Sequence, residues 1–135
     1  MVTLSTIPDV VDVAHYGGDT LNIIVNAPST VTDGMDWAAQ VRPTRDGDIV
    51  DAEFTITPPP TGGGTAYLQL SSVDVSRLIG TAPIIRKRLP TGLIVEAKRY
   101  SGEWDCEVHH PTNPDPVRTL VQGKLTIEID VTRLP

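Results

Sequence analysis

The chain of 135 residues has a single cysteine, Cys106, so it can close no disulfide within itself. Only 4% of its residues are aromatic, with one phenylalanine, which leaves a core to be built from Val, Ile, Leu and Ala. At this length one domain can bury about two thirds of its unfolded surface and needs neither a metal nor a disulfide to hold it. No run approaches the ~18 consecutive apolar residues of a membrane span. The N-terminus lacks a basic region followed by an apolar stretch, so a soluble protein made in a cytoplasm is expected. Cations are also scarce: the net charge is −6 and the isoelectric point is near 4.8. A general nucleic-acid binder needs a basic face, so no nucleic-acid partner and no membrane partner are expected.

Chemistry-bearing patterns are missing as well. "TGGGT" at 61–65 lacks the lysine and helix of a phosphate loop. "LPTG" at 89–92 is internal, lacks one residue of a sortase signal, and is not one. Cys106 with His109 or His110 could suggest a thiol and its base. A strand at 101–110, however, sends Cys106 inward and His109 outward. Asp105, Glu107 and His109 share a face, but their spacing matches no zinc or calcium motif. His15 is isolated. No catalytic, cofactor or metal residue is assigned, and Cys106 reads as a small buried hydrophobe.

What is present is alternation. In "SGEWDCEVHH", Trp104, Cys106 and Val108 alternate with Asp105, Glu107 and His109. In the closing run, Leu125, Ile127, Ile129 and Val131 alternate with Thr126, Glu128, Asp130 and Thr132. A period of two marks an extended strand with a dry face and a wet face. "HPTNPDP" between the runs is turn material, so a long antiparallel hairpin is predicted. Upstream, Leu21, Ile23 and Val25 form one inward set and Met35, Trp37, Ala39 and Val41 another. Asp46-Gly47 signals a hairpin turn into a single strand, "IVDAEFTIT", with Val50, Ala52, Phe54 and Ile56 inward. "PPPTGGG" cannot be a strand interior and predicts a long, mobile hairpin tip before "TAYLQLS". Ser71, Asp74 and Gly80 bracket one short helix whose Val75, Leu78 and Ile79 recur at helical spacing. Trp37, Trp104 and Phe54 are expected to make the aromatic part of the core. About eight strands with Gly- and Pro-rich turns predict an all-β, antiparallel, Ig-like β-sandwich with one short helix and a projecting hairpin.

Residues 1–16 read as an N-terminal arm or edge strand, because Pro8 disfavours a central position. This segment would guard an edge or pair with a neighbouring subunit. Residues 17–135 form the sandwich, with a hairpin insertion at 81–100. That insertion holds Arg86, Lys87, Arg88, Lys98 and Arg99 against Glu96 alone. It stands at +4, leaving −10 for the rest of a chain that totals −6. Ile84, Ile85, Leu89, Leu93, Ile94 and Val95 lie among the charges. A solubility device would intersperse its signs. The eight residues Ile84, Ile85, Arg86, Lys87, Arg88, Leu93, Lys98 and Arg99 are therefore expected to contact a protein partner with an acidic, apolar-centred surface.

Read end to end, "GGDTLNIIV", "DWAAQVR", "AYLQLSSVDVSRL" and "GEWDCEVHHP…VRTLVQGKLTIEIDVTR" occur in the order and spacing of small phage-encoded β-sandwich domains. The chain resembles the N-terminal domain of siphophage upper baseplate proteins and related minor tail proteins over residues 17–133. Residues 81–100 are longer than the family's usual link, and no receptor-binding extension follows. The resemblance implies a structural, non-catalytic tail or baseplate component of a tailed-phage virion, with other virion proteins and copies of itself as partners. The alternatives are a decoration or minor capsid protein on the phage head, and a carbohydrate- or receptor-binding module using residues near Trp37 or Trp104.

Overall fold

The computed structural model describes residues 9–28, 32–45, 47–112 and 117–130. Its elements are β1 (Asp9–Val10), β2 (Val13–Tyr16), β3 (Leu21–Asn26), β4 (Asp36–Arg42), β5 (Ala52–Glu53), β6 (Thr55–Thr57) and β7 (Thr65–Leu70). They continue with the helix α1 (Ser72–Gly80), β8 (Ile84–Arg88), β9 (Ile94–His109) and β10 (Arg118–Asp130). Pro8, Asp46, residues 113–116 of the predicted turn, Val131 and Thr132 lie outside the described residues.

The alternation of the last third dictates the frame. β9 and β10 pair antiparallel from Arg118↔Val108 to Asp130↔Ala97. Trp104, Cys106, Val108, Val121, Leu125 and Ile127 are buried on one face of that ladder, and Ile129 packs against the same core. β4 adds to the other edge of β9, bringing Ala39 opposite Cys106 and Val41 opposite Trp104. A second sheet, ordered β3-β7-β6, supplies Leu21, Val25, Ala66, Leu68 and Leu70 to the facing layer. The protein is a two-sheet β-sandwich, and α1 lies against β9 and β10. The cap of α1 follows from its sequence: the Ser71 side chain accepts the Asp74 backbone N–H at 3.2 Å, and Val75, Leu78 and Ile79 face inward. Phe54 meets Trp104 edge-on at 6.2 Å, the preferred geometry for paired rings.

The structure corrects the sequence reading at several points. Residues 49–57 are not one strand. β5 pairs with β4 in the large sheet and β6 pairs with β7 in the small one. The chain changes sheets at Phe54, whose N–H still donates to the Ala39 carbonyl at 2.9 Å. Val50 is consequently exposed rather than inward. The tip at 58–64 is tied back, with the Gly62 N–H donating to the Asp33 carboxylate at 2.9 Å. The second arm of the hairpin predicted at 81–100 and the strand predicted from 101 are one strand, residues 94–109. Gly102 sits in the ladder opposite Leu125, where a Cβ would stand 2.8 Å from the Arg42 carbonyl oxygen.

The sandwich is also not wholly antiparallel. β1 and β2 both run parallel to β10, on its free edge. Between them the chain presses onto Gly123, where a Cβ would stand 1.9 Å from the Val11 carbonyl oxygen. That approach lets the buried Trp104 indole N–H donate to Val11 at 2.9 Å, and lets the Asp12 carboxylate accept from the Lys124 N–H at 2.9 Å. The indole thus finds the partner that a buried polar group needs. Only glycine permits this contact at position 123. Gly123→Ala is expected to detach residues 9–16 while leaving the two-sheet core folded. Hydrogen exchange of the β2 amides, rising sharply in the variant, checks this. Ile127→Ala, by contrast, removes a fully buried side chain from the core and is expected to cost about 2–5 kcal/mol in denaturant unfolding.

Candidate protein-docking surface

The predicted projecting hairpin is an overhang of the large sheet. β10 occupies one edge of β9 along almost its whole length. On the other edge β4 pairs with residues 103–109 and β8 with residues 94–98, so β4 and β8 lie end to end. Gly102, Trp104, Cys106 and Val108 are buried on the inner face of β9, whereas Ile94 and Glu96, on that same face, are exposed. The long sheet outruns the layer that covers it.

Register assigns each hairpin side chain to a face. Ile84↔Lys98, Arg86↔Glu96 and Arg88↔Ile94 continue the inner face, while Ile85↔Ala97 and Lys87↔Val95 belong to the outer one. The eight predicted contact residues therefore separate. Ile84 is 58% exposed and Leu93, in the tip, 63%, with Arg86 and Arg88 exposed beside them. Ile85 is half-buried on the outer face. Lys98 turns back to the C-terminus of α1, donating to the Gly80 carbonyl at 3.3 Å, a cation placed where the helix dipole favours it. Lys87 and Arg99 are also engaged within the chain. Both reach Glu128 on β10, Lys87 by a short hydrogen bond and Arg99 at 2.8 Å.

Glu128 is the residue that alternation misplaced. Its outward position predicts a solvated carboxylate, yet it is 3% exposed. Its charge is retained because two cations reach it, one on its neighbour β9 and one on β8 beyond. No sequence signal joins positions 87, 99 and 128; only the three-strand register does. Ile94, one of the apolar residues lying among the charges of the hairpin, is 56% exposed.

The electrostatics follow from this contact. The hydrogen bond from Lys87 holds the Glu128 carboxyl below its ordinary value, against the opposing effect of burial, with Arg99 assisting. The same bond raises the Lys87 ammonium. A carboxyl whose folded pKa is depressed contributes stability above its unfolded pKa, and that stability is lost as pH falls through the folded value. A raised lysine contributes fully below its unfolded pKa and loses the contribution as pH rises through the folded value. The cluster thus stabilises the fold between the ordinary values of 4.5 and 10.5. Glu128→Gln is expected to lower the melting temperature at pH 7, with the gap to the parent closing on acidification below about pH 4. Melting curves across pH check this. Lys87→Glu, setting a carboxylate against Glu128, is expected to destabilise more than Arg86→Glu with Arg88→Glu.

Elsewhere the charged side chains of the large sheet pair locally. Arg42 meets Asp105 at 2.9 Å, Arg45 meets Glu103 at 3.3 Å, and His109 stands 3.8 Å from Asp36. Burial, then the neighbouring Asp105, raises the Glu107 carboxyl. Among the described residues, no three of His, Cys, Asp or Glu are grouped to hold a metal ion. Cys106 is fully buried, its thiol pushed up to about 12 by burial, so a reactive thiolate has no support. Trp104 is buried with its indole engaged by Val11, and the partly buried Trp37 packs against the core, so both join Phe54 in the aromatic part of the core. No helix among the described residues is long and apolar enough to cross a membrane.

No family model matches the chain, and no curated protein matches it. Among solved structures it is similar to the NK cell receptor Nkp44, described as a triggering partner in natural cytotoxicity. That likeness has 12% identity and a TM-score of 0.42, covering 91% of this chain and 98% of the other. It is also similar to a structure from a study of multimeric cell-adhesive interactions of VGSC beta subunits. Here identity is 10% and the TM-score 0.40, with 96% of each chain covered. Likenesses this distant carry no functional argument.

Proposed function

We propose that this chain is a non-catalytic structural module, built into a larger particle through the overhang of its long sheet. The observation that carries the reading is the uncovered inner face of β8 and β9, where Ile84 and Ile94 lie exposed at the two ends, Ile94 across from Arg88, with Arg86 and Glu96 at the level between them and Leu93 at the tip. Exposed apolar side chains interspersed with arginines are the anatomy of a protein contact. A strand pair in register holds them rigidly, so little side-chain and loop ordering opposes docking. The resemblance to siphophage tail proteins supplies the setting, a minor tail or baseplate component of a tailed-phage virion. The partner is another virion protein whose surface is acidic around an apolar centre, which arginine recognises by bidentate pairing with carboxylates.

Because Lys87 holds Glu128, the test must spare it. Arg86→Glu with Arg88→Glu alters two exposed side chains and should leave the melting temperature nearly unchanged, since exposed charges contribute little. The tagged chain would be expressed with the genes that flank its own, and particles purified from the lysate. Wild type is expected in the particle, located on the tail by electron microscopy, and the double variant in the soluble fraction. A wild-type chain that stays out of every particle, or a double variant incorporated at wild-type occupancy, overturns the reading. Density on the head moves the module to the capsid.

A further inference from the structure

The same chain carries a surface that complements its own overhang. Its first 41 residues contain five aspartates and no lysine or arginine. Two of those aspartates, Asp9 and Asp12, flank Val10 and Val11 on the parallel strap at the free edge of β10. Val10 is 66% exposed and Val11 is exposed beside it. Two valines between aspartates are the counterpart in charge of the overhang, where Ile84 and Ile94 stand at the two ends of a face that carries Arg86 and Arg88.

The two surfaces cannot meet within one chain. Val10 pairs with Gln122, whereas the overhang lies level with Ile129, which pairs with Lys98, itself paired with Ile84. Seven residues of β10 separate the two levels, about 23 Å at ~3.3 Å per residue, and the patches sit on opposite edges of one sheet. Like surfaces cannot pair either. Overhang against overhang brings the two arginines of each copy together with Glu96 alone to offset them, and strap against strap sets carboxylate on carboxylate, which costs affinity. A contact between unlike patches is therefore head-to-tail.

We infer that the overhang of one copy docks on the strap of a second copy, joining Arg86, Arg88, Ile84 and Ile94 to Asp9, Val10, Val11 and Asp12. This rests on the docking role proposed above and names its partner as the chain itself. Such a heterologous contact leaves a free overhang at one end and a free strap at the other, so copies add until a ring closes or a filament grows. Each of β2 and β8 ladders on one side only among the described residues, so main-chain pairing between the two edges is also open to the contact. Because the strap is seated by Gly123 and the Trp104 indole, its carboxylates are presented at a fixed position.

The test is a charge swap read by sedimentation velocity, with circular dichroism confirming that each variant folds. The wild-type chain should form oligomers that grow with concentration at low salt and dissociate as salt is added. Arg86→Glu with Arg88→Glu should weaken association about tenfold or more, and so should Asp9→Arg with Val10→Arg, which leaves the Asp12 contact to Lys124 intact. Each of these variants keeps one native patch that matches neither of its own ends. Mixed together they supply one native contact and one charge-swapped contact between them and should co-assemble into oligomers in which the two variants alternate. Combining all four substitutions in one chain should restore oligomers. A wild-type chain monomeric at every concentration and salt overturns the inference, as does a combined variant no better than its parents. If that happens while Arg86→Glu with Arg88→Glu still loses particle incorporation, the docking role stands and the partner is another protein.

Discussion

Everything else in the fold is placed by the ladder between β9 and β10. It is the longest pairing among the described residues, and both strands alternate buried with more exposed side chains over 101–109 and 121–127, so a slip of one residue would turn the core outward. Each edge of this pair is then used. β10 receives the N-terminal strap, and β9 receives β4 and β8 in line. The facing sheet is shorter: among the described residues β3, β7 and β6 have six, six and three residues, against sixteen in β9. The overhang is a consequence of that mismatch in length, not of a separate projecting unit.

Uncovering one end of a sheet exposes both of its faces, and the chain treats them differently. On the outer face Glu128 draws in Lys87 and Arg99, so two of the five cations that make the segment basic serve to fix β8 and β9 against β10. Removing a carboxylate from water is costly unless it is paired and hydrogen-bonded, and here both conditions hold. On the inner face Arg86 stands across from Glu96 and Arg88 across from the apolar Ile94. The charge excess visible in composition is therefore divided between a fastening and a surface.

Much of the architecture is legible from residues alone. Trp104, Cys106, Val108, Leu125 and Ile127 alternate without interruption, and Ser71 with Asp74 announces the helix start. The misreadings have physical causes. Residues 81–100 read as a hairpin of their own, yet its second arm runs on without a break through Gly102, where the Arg42 carbonyl lies too close for a side chain. Residues 49–57 alternate smoothly, but alternation cannot tell one sheet from another, and the chain crosses between them at Phe54. Parallel pairing of the strap has no local signature, since it depends on where β10 ends up. Of the eight predicted contact residues, Ile84, Leu93, Arg86 and Arg88 are exposed, while Lys87, Lys98 and Arg99 bind groups within the chain. Composition counts charges and cannot see their partners.

The strap and the overhang are also linked through the frame that holds them. Gly123 seats Val11 on one edge of β10, and five residues along the same strand Glu128 fastens the overhang from the other side. The Gly17 N–H, just past the strap, donates to the Glu128 carbonyl at 2.9 Å, so backbone and side chain of one residue touch both structures. A chain that only had to fold could leave its edges short or blunted. This one positions an acidic apolar edge and a basic apolar edge on a single rigid sheet, with one buried carboxylate coupling their supports. Rigid placement of two unlike patches at a set distance matters little to a monomer. For a repeating contact it determines the angle and spacing between successive copies.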